Sequence, residues 1–194
     1  MARIARESLL TLEAYARERS GFRARVLAHK KPRSVHLGEH LTLLFEDELT
    51  IRYQVQEMLR IEKIFEEAGI QDELDTYNPL IPEGHNWKVT MQLEYEDVEE
   101  RKRALAKLKG IEDRVWVQVE GQPRVHAIAD EDLERESDEK TSSVHFLRFE
   151  LAPAMIAALK AGAALAVGVD HPAYTASVHP VPDATRNALL ADLA

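Results

Sequence analysis

The sequence contains no cysteine. That absence removes disulfide staples, thiolate nucleophiles, cysteine-ligated iron–sulfur clusters and thiolate zinc sites together. Aromatic residues are scarce, at 6%, and no row of them interleaves with basic residues as a base-stacking platform requires. No stretch approaches the roughly 18 continuous apolar residues of a membrane span. The opening Met1-Ala2-Arg3-Ile4-Ala5-Arg6-Glu7 lacks the apolar run of a secretory signal, so a cytoplasmic setting is expected. Neither glycine-rich phosphate-loop pattern occurs, and Gly-x-Ser-x-Gly and His-Glu-x-x-His are also missing. Positive charge is in deficit. Lys and Arg number 25 against 34 Asp and Glu, and a net charge of −9 disfavours general binding to nucleic acid or anionic membranes.

What is present suits a folded domain. The chain has 194 residues, 45% of them hydrophobic, enough to bury a core without covalent staples. We expect one domain over residues 1–194. Helix dominates the first third. Ser8 or Thr11 caps a segment to about Arg19, Ser20-Gly21 interrupts it, and Phe22 to Ala28 adds another turn or two. Val35 to Phe45 alternates around Gly38-Glu39 as a hairpin. A long amphipathic helix runs from Leu49 to Ala68 and ends at Gly69.

Beyond the proline-bounded loop at 75–84 the apolar period changes from 3.6 to 2. Strands are expected at Trp87–Tyr95, Arg114–Glu120, Arg124–Ile128, Ser142–Leu151, Ala164–Val169 and Tyr174–Val178. Helices follow Asp97, Pro153 and Pro182. One-sided alternation predicts an α+β fold, with a mainly antiparallel sheet of about five or six strands packed by helices.

Two polar residues break the pattern. On the long helix, Gln54 and Glu62 fall within the arc of Ile51, Val55, Met58, Leu59, Ile61 and Phe65. A carboxylate on a core face is costly unless it is paired, protonated or metal-bound. On the strand from Ser142, His145 shares parity with Leu147, Phe149 and Leu151 and should point inward. Imidazole and carboxylate together suit iron, manganese or zinc, and they also make an acid–base pair. Glu62, His145 and His171 are therefore the candidate ligands of a divalent transition metal, with Gln54, Glu57 and Tyr174 as hydrogen-bonding partners behind them. A buried hydrogen-bonded pair without catalytic meaning is the plainer reading of the same residues.

His36 and His40 flank a turn rather than share a helix face. The acidic run Asp130 to Glu139 lacks the glycine of a calcium loop and reads as a solvated face. A basic interval from Arg17 to Arg33, with Arg23 and Arg25 at its centre, could meet an acidic partner.

Four segments in order resemble a known family: Phe45 to Arg60, Tyr77 to Pro82, Ser142 to Phe149 and Gly168 to Tyr174. The chain is similar along nearly its whole length to bacterial domain-of-unknown-function family 3501. The resemblance implies genes neighbouring a rubrerythrin and an iron–sulfur oxidoreductase. It thus implies an accessory role in redox or oxidative-stress metabolism, either through a bound metal or as a non-enzymatic module that docks one of those proteins. No catalytic residues come with it.

Overall fold

The structure, a computed structural model, describes residues 3–194. Among them helix α1 spans Leu12–Lys30, strands β1 and β2 span Ser34–Leu37 and Leu41–Phe45, and helices α2 and α3 span Glu48–Glu62 and Glu67–Tyr77. Strand β3 (Asn86–Leu93), helix α4 (Val98–Lys107) and strand β4 (Val115–Val119) follow. Two short strands, β5 (Arg124–His126) and β6 (Ile128–Ala129), precede β7 (Val144–Glu150) and helix α5 (Pro153–Lys160). Strands β8 (Leu165–His171) and β9 (Tyr174–Val178) and helix α6 (Asp183–Leu190) complete the chain.

The fold belongs to the α+β class, and its strands divide between two antiparallel sheets. One has the order β1-β2-β3-β7-β6 and the other β5-β4-β8-β9. Their apolar faces meet in one core. Phe45, Trp87, Val89, Met91, Leu147 and Phe149 come from the first sheet, and Val115, Val117, Val119, Leu165, Val167 and Val169 from the second. The near-continuous apolar run of β8 reflects this burial on the inner face, together with the buried Ala166 and with Gly168 under Trp116 on the outer one.

A single stretch of chain joins the sheets along one edge. Arg124–His126 pairs with β4, the Ala127 amide donates to the Val115 carbonyl at 2.9 Å, and Ile128–Ala129 then pairs with β7. Strands that change sheets in this way make the corners of orthogonally packed sandwiches. Near the opposite edge the Tyr174 hydroxyl donates to the Leu37 carbonyl and accepts from the His40 amide at 3.1 Å.

The first three helices carry a second cluster, in which Ile51, Val55 and Leu59 of α2 meet Ile70 and Leu74 of α3 and Ile4 and Leu9 of the N-terminal segment. Helix α1 is continuous through Ser20-Gly21, where the sequence pattern predicted a break. One exposed interior glycine costs about 1 kcal/mol against alanine, too little to stop a helix capped by Thr11 and held at Tyr15 and Val26. The long helix is shorter than expected. Lys63 adopts a left-handed conformation (φ 55°) and the Ile64 amide returns to the Leu59 carbonyl at 2.9 Å, closing α2 before α3 begins.

On the outer face of the second sheet, Trp116 lies over Gly168, and a Cβ at 168 would come within 2.3 Å of the indole Cζ2. Gly168→Ala should therefore destabilise the protein by about 1–3 kcal/mol, the usual penalty of overpacking. Urea denaturation monitored by circular dichroism checks this value.

Candidate metal centre

His145 is the focus of the site. Its register partner on β3 is Met91, so strand alternation turns the imidazole into the inter-sheet core, where it is fully buried. Nδ1 lies 2.6 Å from Asp130 Oδ2. Nε2 lies 2.9 Å from Thr141 Oγ1, 3.1 Å from the Ser142 carbonyl and 3.8 Å from Glu112 Oε2. Glu112, Asp130 and His145 each offer one ligand atom, and these atoms lie within 4.8 Å of one another.

Three separate segments deliver these groups. Glu112 sits in the 3-10 turn just before β4. Asp130 follows β6 with φ 48°, a left-handed conformation that aspartate tolerates better than most residues. Its Oδ1 accepts from the Phe146 amide at 3.0 Å and from Arg135 Nη1 at 3.1 Å, so the carboxylate is pinned from both sides. Glu112 has weaker partners. Its carboxylate is buried with the Thr141 hydroxyl at 3.4 Å, and burial raises its pKa, partly offset by its own backbone amide and by His145.

A cavity of about 500 Å³ opens over the cluster and is lined by Glu112, Asp130, Asp132, Glu134, Arg135 and Glu136, among others. The acidic run thus forms a wall rather than only a solvated face. Glu136 accepts from the Gly110 amide at 2.7 Å, which folds the run over the site. Asp130, His145 and Thr141 also stand in the order of a nucleophile–histidine–aspartate relay. Thr141 is 1% exposed, however, and its hydroxyl cannot meet a substrate carbonyl in this conformation.

Of the residues singled out from the sequence, only His145 belongs here. Glu62 has the expected angle on α2 but is the last helical residue, and the left-handed turn at Lys63 carries the chain away before anything covers it. It is exposed, and its charge acts on Glu73 of α3 rather than on any histidine. His171 is buried, yet its Nε2 donates to the Lys109 carbonyl at 3.0 Å and its Nδ1 accepts from the Ala173 amide at 3.1 Å. Among the described residues it also lies outside the group of side chains that gather closely enough to share an ion.

The three supporting residues also lie elsewhere. Gln54 is half-buried on α2. Gln56 rather than Gln54 is the buried glutamine of α2; its side chain bonds both the amide and the carbonyl of Leu10. Glu57 ties α2 to α1 by accepting from Tyr15 Oη at 2.7 Å and Arg19 Nε at 2.7 Å. Tyr174 fastens the β1–β2 turn. Arg23 and Arg25 are exposed on α1, and Arg25 stacks on Phe22 at 4.9 Å.

Glu112, Asp130 and Thr141 carry no periodic signal, since all three lie in turns or at strand ends. Asp130 could have been found through one inference. If the strand from Arg124 pairs antiparallel with the strand from Ser142, the first acid beyond it falls beside Phe146 and His145.

Two pH-dependent outcomes follow. Because the Glu112 pKa is raised, its contribution to stability is full below the ordinary 4.5 and falls away as pH rises through the higher native value. Glu112→Gln should therefore raise the melting temperature of chelator-treated protein at pH 7 by about 2–4 °C, equivalent to about 1 kcal/mol. The gain should shrink toward pH 4 in thermal melts. Glu57 behaves oppositely: hydrogen bonding from Arg19 lowers its pKa to about 2. The destabilisation caused by Glu57→Gln should be full at neutral pH and disappear as pH falls from 4.5 through about 2, which acid titration of both proteins measures.

Comparison with known proteins agrees with the fold. The family model described as protein of unknown function (DUF3501) matches residues 3–193. A crystal structure of a novel protein of unknown function from Burkholderia pseudomallei K96243 is 58% identical, covers 100% of both chains and superposes with a TM-score of 0.92. No curated protein matches. With the family model spanning nearly every residue, this chain belongs to the DUF3501 family.

Proposed function

We propose that this protein binds a divalent transition metal between Glu112 and His145, with Asp130 orienting the imidazole. The observation that carries the reading is the convergence of one imidazole and two carboxylates, from three separate segments, beneath an acid-lined cavity. An imidazole with carboxylate oxygens suits iron, manganese or zinc better than calcium or magnesium, which prefer oxygen alone.

The residues divide the work. His145 Nε2 and the Glu112 carboxylate face one another and supply the direct nitrogen and oxygen donors. Asp130 holds the other ring nitrogen, and a carboxylate in that position selects the tautomer whose lone pair is on Nε2, so that a metal there would take the place of the Thr141 hydroxyl. A cation would also relieve the one poorly compensated charge of the cluster, the buried Glu112 carboxylate. When bound, the metal would supply Lewis acidity or one-electron chemistry.

An accessory place in redox metabolism, beside a rubrerythrin or an iron–sulfur oxidoreductase, is the setting we propose for this site. Its support is the family resemblance and not the geometry. Among the described residues no helix is long and apolar enough to cross a membrane.

The test is metal analysis of protein purified without added metal, followed by calorimetric titration with Fe(II), Mn(II) and Zn(II). One equivalent bound in the wild type, and loss of binding in both Glu112→Gln and His145→Gln, is the expected result. Absence of binding for all three ions would reduce the cluster to a hydrogen-bonded corner that fixes β6 against β7.

A further inference from the structure

The cavity already contains a cation. Arg135 reaches back from the acidic run, and its Nη1 lies 3.1 Å from Asp130 Oδ1 and 2.6 Å from Asp132 Oδ1. Nη2 donates to Asp132 Oδ2 at 2.7 Å. The guanidinium lies 4.6 Å over the ring of Phe146, and the side chain is only 14% exposed. This is not the posture of a surface arginine, whose ion pairs are loose and contribute little. Among the described residues it is the only basic one lining the cavity, against seven acids: Glu112, Asp113, Asp130, Glu131, Asp132, Glu134 and Glu136.

Asp130 is therefore shared. One oxygen bonds the imidazole proposed as a ligand, and the other bonds Arg135. We infer that Arg135 is a tethered counter-ion that competes electrostatically with the metal and sets the affinity of the site. The inference rests on the metal reading above and adds a regulatory element to it. A divalent ion entering the cavity meets a like charge one carboxylate away, in surroundings where water screens poorly. It must bind against that charge or displace the guanidinium from Asp130. The chain thus carries its own competitor, and any event that draws Arg135 away from Asp130 raises metal affinity. By linkage, metal binding loosens Arg135 by the same factor.

Alternatives make different demands. Were Arg135 a positioning residue that merely orients Asp130, its neutral replacement would weaken metal binding. Were it a surface ion pair, replacement would change nothing.

The experiment compares Mn(II) and Zn(II) dissociation constants of the wild type, Arg135→Gln, Arg135→Met and Arg135→Lys by calorimetry. The methionine variant keeps an aliphatic stem over Phe146 and covers the case in which the glutamine variant folds poorly. Both neutral variants should bind about tenfold tighter than wild type, within the usual range of coupling between neighbouring sites, and the lysine variant should stay near wild type. Equal affinity in all four proteins overturns the competitor role while leaving the metal site standing, and so does weaker binding by the neutral variants. Failure of every protein to bind either ion removes the site itself. Adding Glu112→Gln to Arg135→Met should abolish binding; retained binding would place the ion elsewhere in the acidic wall and overturn the inference.

Discussion

The hydrogen bond between Asp130 and His145 joins the ends of two different structural decisions. One is the passage of the chain from the second sheet to the first through Arg124–Ala129, which closes one edge of the sandwich and stops at Asp130. The other is the alternation of β7, which sends His145 into the core opposite Met91. A fully buried imidazole needs partners at both nitrogens. Asp130 supplies one, and the turn at Thr141-Ser142 together with Glu112 surrounds the other. Without the strand that changes sheets, the acidic residue and the histidine would sit on separate layers.

The helical part of the protein is held by a different set of interactions, remote from that corner. Asp47 caps α2 through the Thr50 amide and also faces His29 and Arg33. Arg33 is 3% exposed and makes a paired contact with Asp192, beyond the last helix, at 2.9 and 2.7 Å. Its Nε lies 3.0 Å from Asp47 but is poorly aligned for a hydrogen bond. Such buried pairs specify geometry more than they add stability, since desolvation consumes most of the attraction. Here the geometry specified is the junction of α1, the start of α2 and the chain beyond α6.

Much of the architecture was readable because the interior is patterned. Alternation along Trp87–Leu93 and Val144–Leu151 was enough to place strands and to turn His145 inward. Division into two sheets was not readable, because alternation says which face is apolar and nothing about which strand lies alongside. The failure at Glu62 has a simple physical form. Angular position on a helix is periodic and survives any error in length, whereas burial also depends on height along the axis. A left-handed lysine ended α2 at the residue where the pattern still predicted cover, and a non-glycine residue in that conformation has no reliable signature in one sequence. Gln56 shows the converse, a polar side chain buried because the N-terminal segment offered it a backbone amide and carbonyl. Glu112 and Asp130 stayed hidden because turns bring residues together through tertiary structure alone. His171, expected as a ligand, instead bonds the Ala173 amide within its own turn and the Lys109 carbonyl from a distant segment.

The central claim is that Glu112 and His145 hold a metal ion between them, with Asp130 fixing the ring. Anomalous diffraction from crystals grown with Zn(II) or Mn(II) tests it most directly, using data collected on both sides of the metal absorption edge. The account predicts one strong edge-dependent peak within coordinating distance of His145 Nε2 and a Glu112 oxygen, with Asp130 still bonded to Nδ1. A map with no peak there, and His145 hydrogen-bonded at both nitrogens to Asp130 and Thr141, would contradict it.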